Sequence, residues 1–323
     1  MIKIIIFSVI LLFAVLLVVA YLTWLERKFA GRIQSRIGPY WVGRPHGWLQ
    51  PIADGIKIFL KEDIIPRKAD KWVFNLAPIV VLVTAFLVFA TIPFAGELVL
   101  SDLNIGVLYF LAVSSLAVVG IFMAGYGSNN KYAMLSAMRL AAQLVSYEIP
   151  LVLSMLVPVI LVGSMKMGTI INAQKSLWFI AYFPVGTIAF IIFILAALAE
   201  DNRIPFDIPE AESELVAGFN IEYSGIKFAF FYLGEYTHLL AISAIGTVLF
   251  FGGYRGPILP PFVWFFIKTI FLFLFILWIR WSYIRLRIDQ MMKLNWKILV
   301  PVSLLNLALA GIIVLYLIPK GSV

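Results

Sequence analysis

Eight apolar stretches, each about twenty residues long, constrain this 323-residue chain more than any other feature. They run approximately Ile2–Thr23, Trp72–Pro93, Ile105–Tyr126, Ala141–Gly163, Trp178–Ala199, Ala229–Phe251, Phe262–Trp281 and Ile298–Ile318. A helix rises about 1.5 Å per residue, so each stretch suffices for a hydrocarbon layer of roughly 30 Å. Barrel strands would alternate apolar and polar residues over about ten positions, and these stretches do not. The expected fold is an all-α polytopic membrane protein with eight transmembrane helices. The first stretch is too long for a signal peptide and leads into Glu26-Arg27-Lys28 with no small-residue cleavage site, so it reads as a retained helix.

Composition agrees. Hydrophobic residues make up 63% of the chain and charged residues 13%, about half the charged share of a soluble domain. Surface-to-volume scaling prevents a water-soluble fold from hiding so much apolar surface. A soluble enzyme, a disordered chain and a nucleic-acid module are thereby excluded. The net charge of +8 reads as membrane-loop charge rather than a nucleic-acid footprint. With no Cys and only His46 and His238, the chain has too few ligands for an iron–sulfur cluster, a bis-His haem or a structural zinc site. No metal site is expected, and in any redox role another component carries the electrons.

Basic residues give the orientation. The loop after the first stretch holds ten, from Arg27 to Lys71. With Lys131 and Arg139, Arg203 and Lys227, and five from Arg280 to Lys297, odd-numbered loops hold nineteen. Even-numbered loops hold only Lys166, Lys175 and Arg255. This bias places the odd loops in the cytoplasm and both termini outside. No repeat of 20–50 residues and no inverted repeat is visible, and no loop is large enough to fold alone, so residues 1–323 read as one integral membrane domain.

Loop one contains Gln50-Pro51-Ile52-Ala53-Asp54-Gly55-Ile56-Lys57-Ile58-Phe59-Leu60-Lys61-Glu62. Pro51 suits a first helical turn. Ile52, Ile56 and Phe59 share one face, while Asp54, Lys57 and Lys61 share another. A short amphipathic interfacial helix is expected, either a surface anchor or one wall of a site that admits a lipid-like substrate. Loop five, Glu200 to Lys227, carries seven of the seventeen acids against two bases. Pro209 and Gly218 bracket a short helix there, and Glu210 and Glu214 stand at i, i+4, where like charges repel. Crowded carboxylates favour holding a proton near neutral pH, so the segment suggests proton handling rather than a merely solvated loop.

Glu148 and Glu235 fall inside apolar stretches, about two turns into the fourth and within the sixth. A charge at the bilayer centre costs at least ~2.5 kcal/mol, so such groups usually face protein or water and mark a path. Arg139 stands nine residues from Glu148, on the opposite face of one helix. Lys268 is a third intramembrane candidate, though near a helix end it can snorkel. His238, three residues after Glu235, reads as a packed side chain and receives no role; His46 is equally uninformative.

These motifs resemble a known family: the H-type membrane subunit of NADH–quinone oxidoreductase (respiratory complex I), called subunit 1 in mitochondria. The resemblance runs from Glu26 to about Trp281. It rests on Glu26-Arg27-Lys28, Gln50-Pro51-x-Ala53-Asp54-x-x-Lys57, Ser128-Asn129-Asn130-Lys131-Tyr132 and Ser146-Tyr147-Glu148. It continues in Ala199-Glu200 through Arg203, Pro205-Phe206-Asp207, Glu210-x-Glu212-Ser213-Glu214-Leu215-Val216 and Glu222-Tyr223. The resemblance implies eight principal transmembrane helices and a quinone chamber open to lipid. It implies quinone as substrate, no covalently bound cofactor, and flavin and iron–sulfur clusters in partner subunits only. The implied partners are peripheral-arm subunits carrying the terminal cluster, small and antiporter-like membrane subunits, and lipid, with no nucleic acid. A carboxylate row for protons would comprise Glu148, Glu200, Glu210, Glu212, Glu214, Glu222 and Glu235. The chamber and its entrance would use Glu26, Arg27, Arg36, Asp54, Glu62, Arg203 and Asp207. The membrane would be a bacterial plasma membrane or an organelle inner membrane. Rival readings are the matching subunit of a membrane-bound hydrogenase or other-donor relative, a stand-alone proton-coupled transporter, and a structural anchor. The anchor has no use for buried acids, and the transporter would normally show repeat symmetry.

Overall fold

A computed structural model describes residues 2–96, 98–208 and 218–317, with side chains from residue 5 to residue 316. Among the described residues the regular secondary structure is helical, apart from an isolated bridge between Ala95 and Leu98. The helices are α1 (Ile2–Ile33), α2 (Gln50–Phe59), α3 (Lys71–Leu87), α4 (Gly106–Gly127), α5 (Lys131–Val162) and α6 (Met167–Ala173). They continue as α7 (Val185–Glu200), α8 (Gly225–Phe250), α9 (Pro261–Ser282), α10 (Ile288–Leu294) and α11 (Val300–Leu317). A 3-10 turn, Val88–Thr91, prolongs α3, and a π turn, Asn295–Leu299, joins α10 to α11.

Seven of these runs are long and apolar enough to cross a membrane: α1, α3 with its turn, α4, α5, α8, α9 and the joined α10–α11. The fifth expected span is different. Pro184 starts α7, which has 16 residues and reaches about 24 Å, and residues 179–181 form a separate 3-10 turn. Hydropathy also misplaces two helix ends, because polar residues extend helices that apolar counting cuts short. Helix α5 begins ten residues before Ala141, where the Asn130 side chain accepts from Tyr132 N–H. Glu148 therefore lies near the middle of α5 rather than two turns from its start. Helix α1 continues ten residues past Thr23, placing Glu26 and Arg27 on helix rather than in a loop. It ends where Arg36 N–H bonds Gly31 C=O (2.8 Å) and Ser35 takes φ 54°, a Schellman-type stop.

Within lipid there is little hydrophobic force between helices, so close backbone approach and hydrogen bonds hold them. A Cβ added at Gly125 of α4 would lie 2.3 Å from the Ala137 Cβ of α5, and one at Gly120 would lie 2.6 Å from Val81 of α3. Helix α8 is central: 89% of its apolar window is buried, against 17% for α1. Acids carried by α8 thus face protein.

The odd loops share one face of the bundle. Asn129 donates to Lys68 C=O (2.9 Å), Asn130 to Glu222 (2.6 Å), and Ser224 Oγ to Glu62 C=O (3.0 Å). Leu286 N–H bonds Pro205 C=O (2.9 Å) and Arg285 pairs with Asp207 (2.7 Å), joining loop seven to loop five. The even loops meet at the opposite face, where Lys166 pairs with Asp102 (2.6 Å) and Gln174 accepts from Gly252 N–H (2.9 Å). Lys268 belongs to that face and does not snorkel. Its buried ammonium donates to the carbonyls of Phe251, Gly253 and Arg255 at 2.7, 3.1 and 2.6 Å, clamping the turn after α8.

Candidate functional site

Adjacent residues on a helix point about 100° apart, and the last turns of α1 use this to serve two partners. Glu26 faces inward and is 4% exposed. It pairs with Arg280 of α9 and accepts from the Tyr236 hydroxyl of α8 at 2.6 Å. Tyr232, one turn earlier, donates to the Tyr236 oxygen at 3.1 Å. Arg27 faces outward and pairs with Asp54 of α2 at 2.6 Å, and Gln50 donates to the other Asp54 oxygen at 2.9 Å. The amphipathic helix α2 forms as expected, with Pro51 in its first turn and Ile52, Ile56 and Phe59 exposed.

The turn after α7 aims Arg203 into the bundle. Arg203 N–H bonds Leu198 C=O (3.0 Å), Asn202 N–H bonds Ala199 C=O (3.3 Å), and Asn202 takes φ 52°. Asparagine tolerates that left-handed position at a helix stop. Gln143, buried in α5, holds the turn by donating to Ala199 C=O at 2.7 Å and Phe206 C=O at 2.8 Å. Arg203, 2% exposed, reaches Glu235 at 3.0 Å and lies 4.6 Å from the centre of the Tyr236 ring. Burial works against its charge, but Glu235, Tyr236, Glu26 and Asp201 outweigh burial and hold the guanidinium firmly protonated.

Beyond this pair lies a cavity of about 60 Å³. Its polar lining is Glu200, Asp201, Asn202, Asn220, Glu235 and His238; Val81, Ala85, Ala117, Ile121, Leu144, Phe219 and Phe231 form apolar walls. That volume holds roughly two to four waters and no quinone ring. His238 Nδ1 is 2.8 Å from Asp201 Oδ1. Glu200 is 7% exposed, and its Oε2 has no hydrogen-bond partner among the described residues. Glu148, half-buried on α5, lies within electrostatic reach of Glu200.

On the outer side of α1 a cleft of about 540 Å³ opens between α1, loop one and α9, lined by Trp24, Lys28, Arg32, Arg36, Trp48 and Leu274 among others. Ligand sites commonly measure 300–1,000 Å³. Trp24 and Trp48 stack at 4.7 Å.

The structure thus gathers Glu26, Arg203, Glu235 and Glu200 into one buried network, with Glu148 nearby. Arg27 and Asp54 form a separate half-exposed pair, and Arg36 lines the cleft while bonding Gln34 at 2.7 Å. Glu62 is exposed, Glu222 bonds Asn130 at the junction of loops three and five, and Asp207 pairs with Arg285. Glu210, Glu212 and Glu214, and the short helix expected between Pro209 and Gly218, lie outside the described residues apart from the 3-10 turn at Gly218–Asn220. Sequence reasoning missed Tyr236, Gln143, Arg280 and the Asp201–His238 pair. The i, i+3 spacing of Glu235 and His238 was a usable signal; the partners from other helices gave none.

The family model described as NADH dehydrogenase matches residues 6–311 of this chain. The H-type subunit of the NADH-quinone oxidoreductase of Dehalococcoides mccartyi is 54% identical over 310 residues, covering 96% of this chain and 86% of that protein. The second H-type subunit of Geobacter sulfurreducens is 48% identical, covering 94% of each chain. The H-type subunit of a Geobacillus species is 50% identical, covering 94% of this chain and 91% of that protein. This chain is a multi-pass membrane protein of the NADH dehydrogenase family, similar over nearly its whole length to the H-type subunits of bacterial NADH-quinone oxidoreductases.

Proposed function

We propose that this chain is the H-type membrane subunit of a bacterial NADH:quinone oxidoreductase, and that it forms the quinone chamber and couples quinone reduction to proton movement. The observation carrying the coupling role is the buried polar sequence from Arg280 and Glu26 through Tyr236, Arg203 and Glu235 to the cavity at Glu200. It links the turn beside the cleft to carboxylates deep in the bundle.

Quinone enters along the cleft beside Trp24 and Trp48, with Arg36 at its mouth and the Arg27–Asp54 pair fixing α2 against α1. Peripheral-arm subunits close the chamber and bring flavin and iron–sulfur clusters, for which this chain, without Cys, offers no thiolates. Reduction places negative charge near Glu26 and Arg203. Charge interactions are strong where water is scarce, so that charge alters the proton affinity of Glu235 and then Glu200 and Glu148. Glu210, Glu212, Glu214 and Glu222 extend the row through loop five, and Glu62 and Asp207 belong to the rim of the quinone chamber. Protons displaced along this row bias the neighbouring small and antiporter-like membrane subunits.

We take residues 1–323 as one integral domain in the plasma membrane. Helix α7 with its preceding turn supplies an eighth span, the odd loops face the cytoplasm, and both termini lie outside. The basic bias of those loops supports this orientation. A hydrogenase-type donor is the competing reading, and the subunits that co-purify decide between them. The test of coupling is Glu148→Gln, which should assemble and reduce quinone but translocate fewer protons per electron in membrane vesicles. Full coupled turnover would remove Glu148 from the path.

A further inference from the structure

We propose that the His238–Asp201 pair is a proton-holding station of the buried cavity in its own right, in addition to its carboxylates. The inference rests on the coupling role above and adds an imidazole to a row otherwise made of acids.

The geometry is that of a histidine held for proton exchange. His238 stands one turn after Glu235 on α8, so both reach the same cavity. Asp201 caps the end of α7, 2% exposed, and its Oδ1 lies 2.8 Å from His238 Nδ1. A carboxylate accepts only, so Nδ1 carries the hydrogen and the neutral ring keeps its lone pair at Nε2. Nε2 is buried and has no hydrogen-bond partner among the described residues. Most buried side-chain nitrogens are hydrogen-bonded, so an unpartnered Nε2 beside a polar cavity calls for an account beyond packing. Glu200 Oε2 and Asp201 Oδ2 are buried in the same state around the same cavity. Room for two to four waters lets a proton pass among them without direct contact.

The ionisable groups that line the cavity besides His238 are acids. Glu235 lines the cavity from α8, Glu200 from α7, and Asp201 and Asn202 from the turn, with Asn220 also on its wall. Helices α3, α4 and α5 contribute Val81, Ala85, Ala117, Ile121 and Leu144, which carry no charge, and Glu148 on α5 lies within electrostatic reach of Glu200. Arg203, beside the cavity, is paired with Glu235. In the step, the O–H bond of a protonated Glu200 breaks, a cavity water relays the proton, and an N–H bond forms at Nε2. The products are the Glu200 carboxylate and an imidazolium paired with Asp201. The cavity's total charge is unchanged, so the transfer needs no counter-ion from outside. New negative charge at the quinone changes which partner holds the proton.

The test is redox-triggered infrared difference spectroscopy on the assembled oxidoreductase, with and without ¹⁵N-histidine. Imidazole bands should change on quinone reduction and vanish in His238→Gln. Asp201→Asn should retain an altered imidazole band and move the pH profile of proton transfer to lower pH, since the imidazolium loses its anionic partner. Carboxyl bands that respond while no His238 band does would overturn this inference and leave the carboxylate row standing. Silence in both regions would overturn both. Loss of stability in His238→Gln with an unchanged difference spectrum would mark the pair as structural and sink the proposal.

Discussion

The Arg203–Glu235 pair joins the quinone end of the network to the cavity, and its energetics can be worked out. Arg203 is 2% exposed and the Glu235 side chain 24%. Removing one partner of a buried ion pair costs about 3–5 kcal/mol, mostly because the other charge stays buried alone. Glu235→Gln keeps an accepting oxygen, and the Tyr236 ring at 4.6 Å still faces the guanidinium, so the cost falls at the lower end, about 3 kcal/mol. Arg203→Met leaves a carboxylate that can turn to cavity water, costing about 2 kcal/mol. The double variant leaves neither charge stranded and should be more stable than Glu235→Gln alone. The coupling term should be about 2–3 kcal/mol, near the top of the range for residues in contact. Thermal inactivation of the assembled oxidoreductase in detergent reads this out. Where the pair breaks before the barrier, about 3 kcal/mol is roughly a 150-fold change in rate. Additivity within about 0.5 kcal/mol would show that the two groups do not share the energy assigned to them.

Other perturbations separate structural from functional charges. Lys268→Met should cost about 2–4 kcal/mol in the same assay, because three carbonyls lose a charged donor. It should leave quinone reduction by the surviving enzyme unaltered, since the clamp lies on the opposite face from the network. Asp54→Asn should change stability by less than about 1 kcal/mol, because Arg27 and Asp54 are 46% and 32% exposed. It should nonetheless raise the quinone KM roughly fivefold, the equivalent of about 1 kcal/mol, and an unchanged KM would remove the pair from the entrance. Gly125→Ala should cost about 1–3 kcal/mol by forcing α4 from α5, where the new Cβ would meet Ala137 at 2.3 Å; an inactivation rate equal to that of the parent would mean this crossing is loose.

Hydropathy and helical period are local properties, and they made much of this molecule legible. The long apolar runs specify membrane helices, because no other element satisfies its own backbone in lipid without closing a barrel. The spacing of Ile52, Ile56 and Phe59 specified α2, and the motifs from Glu26 to Tyr223 pointed to the family. Helix ends were less readable. The run through Glu26 to Ile33 and the start of α5 at Lys131 depend on caps and on packing that offsets polar residues, which apolar counting does not register. Span five was shortened by Pro184, whose effect on a helix start is local but was outweighed by the hydropathy of its neighbours.

Which charge meets which was decided only by the tertiary structure. Glu26 and Arg280 are 254 positions apart, Glu26 and Tyr236 are 210, and Gln143 reaches Phe206 across 63. No periodicity relates residues on different helices; their meeting depends on how closely glycine and alanine let those helices cross. Lys268 and Glu235 illustrate the consequence. Both are ionisable residues within apolar runs, alike by sequence. One closes a turn with backbone carbonyls, while the other lines a cavity beside a buried arginine, because burial turns a charge into either a clamp or a relay according to what the neighbouring helix offers it.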